Sequence, residues 1–265
     1  HILAAYTTWE VPPTHVLLIG DKEIAPVKYI TYDYTFVYDD YFVELEGNDY
    51  FPELMIGRFT NQTDYRMQVM INKFMNYEKI PYVQSTDWFK KGLVCANNAY
   101  ASQRETKRFT ATQMLGFGNF SSVDSMYNGY PCPGNVNDII NMINEGRSFL
   151  NYRGEGWSTG WWADCIPFQT SDVSSINNGQ KLTFVTSIGC GVAMFDANGG
   201  NCFGEEWVEM GTTTETRGAC AFVGPTSNTH TTYNNKIDMG IYLGMFGNGS
   251  VETESMDSLG EALLN

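Results

Sequence analysis

The chain has 265 residues, of which 43% are apolar and 17% are charged, and its formal net charge is −14. Phosphate contacts require a basic surface, so this balance of charge argues against nucleic-acid binding. No run of 18 apolar residues occurs, so the sequence predicts no membrane span. The composition therefore indicates one large globular domain, or a domain with a small partner sheet.

The first third of the chain predicts three strands and a long helix. Apolar, β-branched runs predict a buried strand over residues 14–21 and two further strands over residues 41–46 and 54–59. Residues 64–78 carry apolar side chains at helical spacing and stop before Pro81, so they predict a helix.

The rest of the chain alternates short apolar runs with segments of helical period. The predicted strands cover residues 92–96, 123–127, 148–152, 182–188 and 219–223, and the predicted helices cover residues 103–114, 135–144, 203–210 and 233–246. Such alternation favours a mostly parallel sheet with helices on both faces. Functional groups gather at the carboxyl ends of parallel strands, so the segments after residues 152, 188 and 223 are expected at one edge.

Two of these segments contain residues suited to covalent catalysis. The first is Asn151-Tyr152-Arg153-Gly154-Glu155-Gly156, and the second is the apolar run 184–196, which contains Cys190 between two glycines. A cysteine peptidase needs a thiolate, a proton shuttle and N–H donors for an oxyanion. Cys190 is the candidate nucleophile, and Gly154 and Gly191 are candidate N–H donors. Without the first segment, a cysteine after a strand is more often a buried thiol.

Together the two segments resemble the catalytic core of the gingipain family of cysteine peptidases, which are relatives of caspases. The similarity extends to residues 14–21, 40–41, 47–49, 52–58, 76–81, 202–205 and 218–226. It implies an α/β fold, a caspase-like three-layer sandwich with a mostly parallel sheet and a smaller N-terminal sheet region. It further implies a partial N-terminal subdomain in residues 1–86 and a catalytic-type subdomain in residues 87–265, truncated at its C-terminus.

One residue departs from the family pattern. The family has a histidine between the two glycines of the first segment, where this chain has Glu155. An imidazolium favours a nearby thiolate and can protonate a leaving amine, whereas an ionised carboxylate does neither. The family's acidic residue that orients the histidine is replaced here by an amide, Asn97 or Asn98. Both changes predict that ordinary peptidase activity is lost.

Other residues are candidates for substrate binding. His230 follows the last predicted strand, near the family's P1 pocket, and is either a replacement base or an ordinary exposed loop histidine. The resemblance aligns Arg104 with the acidic P1 residue of family members, which predicts a preference for acidic or neutral P1 residues unless this helix face is merely basic. Trp157 and Trp161, with Trp162, either line a peptide or glycan groove or pack in the core.

Family members carry structural calcium, which implies a possible ion here, and no cofactor is expected for catalysis. The candidate ligands are oxygen atoms in acidic turns, either of Asp39, Asp40, Glu46 and Asp49 or of Asp196 with Asn198. Their spacing matches no EF-hand loop.

The cysteines give information on the cellular compartment of the protein. None of the six forms a CxxC pair, which argues against a zinc knuckle or a thioredoxin-type site. Cys132, Cys165 and Cys202 lie in loop-like sequence, and a disulfide among them is possible in an oxidising compartment. We interpret the chain as a fragment of a larger extracellular or cell-surface precursor, whose partners are its other domains and a protein or peptide.

Three functional hypotheses follow. The first is a pseudo-peptidase domain of a secreted surface protein that acts in binding or structure. The second is an active cysteine endopeptidase that cleaves after non-basic residues, with Cys190 as nucleophile and His230 as base. The third is a latent fragment whose missing segments complete the site.

Overall fold

The structure, a computed structural model, describes residues 1–97, 99–129, 131–197 and 200–247. Its strands in this part of the chain are β1 His15–Ile19, β2 Tyr29–Thr31, β3 Thr35–Val37, β4 Met55–Phe59, β5 Lys91–Ala96, β6 Ser122–Tyr127, β7 Phe149–Arg153, β8 Gly156–Trp157, β9 Gly160–Trp161, β10 Thr183–Ile188 and β11 Ala219–Val223. Its α-helices are α1 Ile2–Thr8, α2 Asp64–Lys79, α3 Ala101–Gly116, α4 Val136–Gly146, α5 Thr170–Val173, α6 Phe203–Glu209 and α7 Thr231–Phe246.

The centre of the fold is a five-stranded sheet of order β11-β10-β7-β5-β6, in which every neighbouring pair is parallel. Side chains alternate between its two faces, as the pleat requires. Leu93 and Cys95 of β5 pack in the core beneath α4, α5 and α6, whereas Val94 packs in the core beneath α3 and α7. Helices therefore cover both faces, and the predicted three-layer α/β sandwich is confirmed.

The N-terminal region contains two small sheets, a parallel β1–β4 pair and an antiparallel β2–β3 hairpin. The prediction that residues 14–21 form a buried strand is only half correct, because Leu17 on β1 is 52% exposed. The division between residues 86 and 87 stays a prediction, although every strand of the central sheet follows it.

The strand predicted over residues 41–46 is wrong. The chain forms a short 3-10 helix at Asp40–Phe42 and continues as a turn. The side chain of Glu53 accepts hydrogen bonds from the N–H groups of Leu45 and Glu46, at 2.5 and 3.1 Å. A carboxylate thus takes the place of a neighbouring strand as partner of this backbone.

A buried ion pair joins α3 to α7. The Nζ atom of Lys107 lies 2.5 Å from Oδ2 of Asp238, and both side chains are fully buried. Asn151 of β7 accepts a hydrogen bond from Lys107 and donates one of 2.9 Å to Oδ1 of Asp238. Burial lowers the pKa of Lys107 to about 8, and the neighbouring Asp238 opposes that shift. The network therefore connects both helices to strand β7 of the central sheet.

Helix α6 carries two buried glutamates that face the N-terminal region. Oε2 of Glu205 accepts from the N–H of Cys202 at 2.8 Å, and Oε2 of Glu209 accepts from Asn201 at 3.0 Å. The Oε1 atoms of both glutamates are buried without a hydrogen-bond partner in the described ranges. Burial raises the pKa of each carboxyl to about 7. The Nε atom of Arg66 lies 3.7 Å from Oε2 of Glu209, but the Arg66 side chain is 41% exposed. Arg66 therefore compensates only part of the negative charge of an ionised Glu209.

Replacing Glu209 by glutamine should therefore stabilise the protein at pH 8 by about 2 kcal/mol and have little effect at pH 4. The folded protein is more stable when the carboxyl of Glu209 is protonated. Its stabilising contribution is present below the unfolded pKa of 4.5 and is lost as the pH rises through about 7. Urea unfolding at both pH values measures the difference. The exposed Glu10→Gln variant is the control, and an equal gain at pH 4 and pH 8 would contradict the prediction.

Candidate active site

Three chain segments leave the central sheet at its carboxyl edge and meet there. Strands β7 and β10 are neighbours with Arg153 opposite Ile188, so the segments that carry Glu155 and Cys190 emerge side by side. The loop after β11 completes the group, because Sγ of Cys190 lies 3.7 Å from both the carbonyl oxygen and Oγ1 of Thr229. The meeting of these segments follows from the parallel sheet.

Cys190 opens into a cleft of about 500 Å³. One wall is the loop after β11, and the other is the β2–β3 hairpin of the N-terminal region. The lining residues are Tyr32, Asp33, Tyr34, Phe36, Cys190, Ser227, Asn228, Thr229 and His230. Cys190 and His230 therefore share one cleft. In the sequence, the only signal for this hairpin is the aromatic segment 29–37, which indicates no role in the site.

His230 is the N-cap of α7. Its Nδ1 atom accepts a hydrogen bond of 3.4 Å from the N–H of Thr232, and its ring lies 5.5 Å from that of Tyr233. A neutral imidazole that accepts at Nδ1 carries its proton on Nε2. The lone pair that a general base would use is thus occupied in capping the helix.

Glu155 is exposed, and its carboxylate makes no hydrogen bond or ion pair with the residues that the structure describes. Its carbonyl oxygen is held in place, because it accepts from the hydroxyl of Tyr152 at 2.7 Å and from the N–H of Trp162 at 3.0 Å. The backbone at Glu155 is therefore fixed while its side chain meets solvent.

Both predicted oxyanion donors already have acceptors. The N–H of Gly154 donates to the carbonyl of Ile188 at 3.3 Å, and the N–H of Gly191 donates to the carbonyl of Ser227 at 2.9 Å. The N–H of Cys190, which the sequence pattern did not indicate as a donor, has no hydrogen-bond partner within the described ranges. It is a donor that this edge keeps available.

The tryptophans divide between core and surface. Trp161 is fully buried, stacks on Tyr152 at 4.0 Å between ring centroids, and donates from Nε1 to Oγ of Ser187 at 2.9 Å. It packs in the core and does not line a groove in this structure. Trp157 is half-buried against Gly191, and its ring centroid lies 6.4 Å from that of Trp162, which is 56% exposed.

Arg104 and the amides lie outside the Cys190 cleft. Arg104 is in the first turn of α3, and its Nε atom is buried without a hydrogen-bond partner in the part of the chain that is described. Asn97 donates to the carbonyl of Trp162 at 2.8 Å and accepts from Asn128 at 3.2 Å. It therefore supports the backbone of the segment 157–162 that carries the tryptophans. Asn98 lies outside the described residues.

Two of the predicted calcium ligands already accept hydrogen bonds from other groups of the protein. Both carboxylate oxygens of Asp39 accept from Arg58 at 2.7 Å, and Oδ1 of Asp49 accepts from the N–H of Phe51 at 2.9 Å. Burial raises the pKa of Asp40, which disfavours its anionic form. Asn198, the neighbour of Asp196, lies outside the described residues. Within the described ranges, no group of three or more His, Cys, Asp or Glu side chains fits a metal ion.

A disulfide joins Cys132 to Cys165 and so links the loop after β6 to the loop after β9. Cys202 is a buried free thiol at the start of α6. The spacing of the cysteines alone does not determine this pairing. Within the described residues, no helix is both long and apolar enough to cross a membrane.

Comparison with known proteins gives a consistent set of matches. The family described as Peptidase family C25 matches residues 2–265. Gingipain R2 of Porphyromonas gingivalis is 26% identical over 184 residues, which are 67% of this chain and 24% of that protein. Lys-gingipain W83 of the same organism is 25% identical over 226 residues, which are 82% of this chain and 12% of that protein. The chain therefore spans a quarter or less of the length of these relatives.

Two solved structures show the same fold. The Arg-specific cysteine proteinase gingipain R superposes with a TM-score of 0.86 at 21% identity, over 100% of this chain and 60% of that chain. The complex of Porphyromonas gingivalis RgpB pro- and mature domains superposes with a TM-score of 0.79 at 22% identity, over 91% of this chain and 56% of that chain.

Proposed function

The chain belongs to peptidase family C25, and on that premise we propose that it is a degenerate peptidase domain that binds a protein or peptide without efficient hydrolysis. The observation that carries the proposal is the surroundings of Cys190. The hydrogen-bond partners of its thiol are the carbonyl oxygen and hydroxyl of Thr229, at 3.7 Å. Neither group has the basicity to take the thiol proton and return it to a leaving amine.

The other groups at the sheet edge support the same conclusion. The side chain at the position that the resemblance assigns to histidine is Glu155, which is exposed and without a described partner. The N–H groups of Gly154 and Gly191 already donate to carbonyl oxygens. Such a site has a nucleophile but lacks the proton shuttle, and two of its candidate donors are occupied.

The cleft itself supports binding. Tyr32, Tyr34 and Phe36 provide aromatic surface on one wall, and the segment 227–230 provides hydroxyl, amide and imidazole groups on the other. Aromatic walls with a few polar groups are typical of sites that hold a peptide side chain. We infer that this cleft, with a volume of about 500 Å³, receives the ligand beside Cys190.

The proposal also covers the cellular location of the domain and its partner domains. The Cys132–Cys165 disulfide is typical of an oxidising compartment, which supports an extracellular or cell-surface location. Since the matched relatives are several times longer and one matched structure is a complex of pro- and mature domains, other domains of a larger precursor are proposed partners.

A second function has one observation in its favour. His230 lines the same cleft as Cys190, which is the arrangement that an active endopeptidase with a replacement base requires. In that case Cys190 is the nucleophile, His230 releases its capping bond to Thr232 in order to act as base, and cleavage follows non-basic residues.

The two functions are separated by incubating the protein with a mixed peptide library and reading cleavage by mass spectrometry. The Cys190→Ala variant is measured beside the parent chain, and Cys220→Ala, which removes a thiol outside the cleft, is the matched control. We expect the same cleavage background in all three folded proteins. Cleavage that the parent and Cys220→Ala share and that Cys190→Ala lacks would establish the active peptidase instead.

A further inference from the structure

The hairpin wall of the Cys190 cleft is an exposed aromatic surface. Tyr32 and Tyr34 line the cleft, and both side chains are exposed. The rings of Tyr32 and Phe36 stack with their centroids 6.4 Å apart. The hydroxyl of Tyr32 donates to that of Tyr50 at 3.4 Å, and Tyr50 is also exposed, so the aromatic surface continues beyond the cleft. The hairpin therefore offers flat rings to a ligand instead of burying them in the core.

The opposite wall, at the start of α7, combines a ring with a hydrogen-bond donor. The imidazole ring of His230 lies 5.5 Å from the ring of the exposed Tyr233. Nδ1 of His230 accepts from the N–H of Thr232, so the neutral ring carries its proton on Nε2. A ligand in the cleft thus lies between two aromatic surfaces, and the second of them can donate a hydrogen bond.

The polar groups that remain available around the cleft are suited to carbonyl oxygens. The hydroxyl of Tyr34, Nε2 of His230 and the backbone N–H of Cys190 have no hydrogen-bond partner in the described part of the chain. Each of them can donate. Among the described residues that line the cleft, Asp33 at the tip of the hairpin is the one carboxylate, and none is a lysine or an arginine. The cleft therefore fits an uncharged ligand with apolar rings and several acceptors.

A proline-rich segment in the polyproline II conformation has this chemistry. Proline lacks a backbone N–H and keeps its carbonyl oxygen, so the segment brings acceptors without donors that would need partners. Its carbonyl groups make no internal hydrogen bonds, and its fixed φ angle reduces the conformational entropy lost on binding. Grooves lined by aromatic side chains are the usual sites for such segments. An acidic peptide, by contrast, finds no cation in this cleft.

We propose that the cleft beside Cys190 binds an uncharged, proline-rich peptide segment in the polyproline II conformation. The rings of Tyr32, Tyr34 and Phe36 receive the pyrrolidine rings. The hydroxyl of Tyr34, Nε2 of His230 and the N–H of Cys190 donate to carbonyl oxygens of the segment. This inference rests on the proposed function, because it names the class of peptide that the same cleft receives.

The first test compares two fluorescein-labelled peptides with blocked ends by fluorescence anisotropy. One is an uncharged, proline-rich peptide, and the other has alanine in place of every proline. We expect the folded parent protein to bind the proline-rich peptide about tenfold more tightly than the alanine peptide. Equal affinity for the two peptides would overturn the inference.

Variants of one hairpin tyrosine locate the binding. Tyr34→Ala removes a ring and a donor and should weaken binding of the proline-rich peptide about tenfold. Tyr34→Phe keeps the ring and should have a smaller effect. The matched control is Tyr65→Ala, which removes an exposed tyrosine of α2 outside the cleft and should leave the affinity unchanged. An unchanged affinity in Tyr34→Ala, or an equal loss in Tyr65→Ala, contradicts binding at this cleft.

A selection experiment separates failure of this inference from failure of the proposed function. The mixed peptide library is passed over the immobilised parent protein, and the retained peptides are identified by mass spectrometry. Retained peptides enriched in proline support the inference. Retained peptides without that enrichment contradict it and leave the proposed function standing, whereas retention of no peptide contradicts both.

Discussion

Replacing Glu155 by histidine should raise the rate of Cys190-dependent peptide cleavage by about 10²- to 10⁴-fold, which is the usual contribution of a positioned general acid–base group. The backbone at Glu155 is held by Tyr152 and Trp162, so the new side chain starts from a fixed position beside the end of β10. An imidazole there can take the thiol proton and return it to the leaving amine. The measurement is kcat/KM for peptides from the library, with Glu155→His/Cys190→Ala as background.

The control for this gain is Glu155→Gln. It removes the negative charge without adding a base, so peptide cleavage should stay at background. If Glu155→His is no more active than Glu155→Gln, the missing histidine is not what limits peptide cleavage. The hydrogen-bonded N–H groups of Gly154 and Gly191 would then be the next cause to examine.

Replacing Lys107 by methionine should lower the free energy of unfolding by about 3–5 kcal/mol. The substitution leaves the carboxylate of Asp238 fully buried without its cation, and it removes a donor to Asn151. A buried charge without a partner is far more costly than the loss of an exposed ion pair. Urea unfolding at neutral pH, followed by circular dichroism, measures the change.

Two comparisons isolate the cause of that loss. The Lys107→Met/Asp238→Leu double variant removes both charges and should recover most of the stability, because no unpaired ion remains. Arg108→Met breaks the exposed pair with Glu105 on the same helix and should change stability by less than about 1 kcal/mol. A loss in Lys107→Met that is as small as that in Arg108→Met would show that water reaches Asp238.

The architecture of the central sheet could be predicted because its signals are local and repeated. The strands predicted over residues 182–188 and 219–223 were observed as β10 and β11, and the helix over residues 64–78 was observed as α2. A parallel sheet needs helical crossovers, so strand–helix alternation implies both the layers and the functional edge. The strand predicted over residues 41–46 was wrong. Residues 40–42 form a 3-10 helix, and the side chain of Glu53 binds the N–H groups of Leu45 and Glu46, a partner that the hydrophobic pattern does not reveal.

The sequence by itself determined the family resemblance, the three-layer fold, and the arrival of Cys190 and Glu155 at one edge, because these depend on patterns along the chain. Only the tertiary structure decided the cleft wall formed by the β2–β3 hairpin, the capping role of His230 and the pairing of Cys132 with Cys165. Each of these joins residues far apart in sequence, or depends on the direction of one side chain. Such contacts are set by packing, which no periodicity or motif encodes.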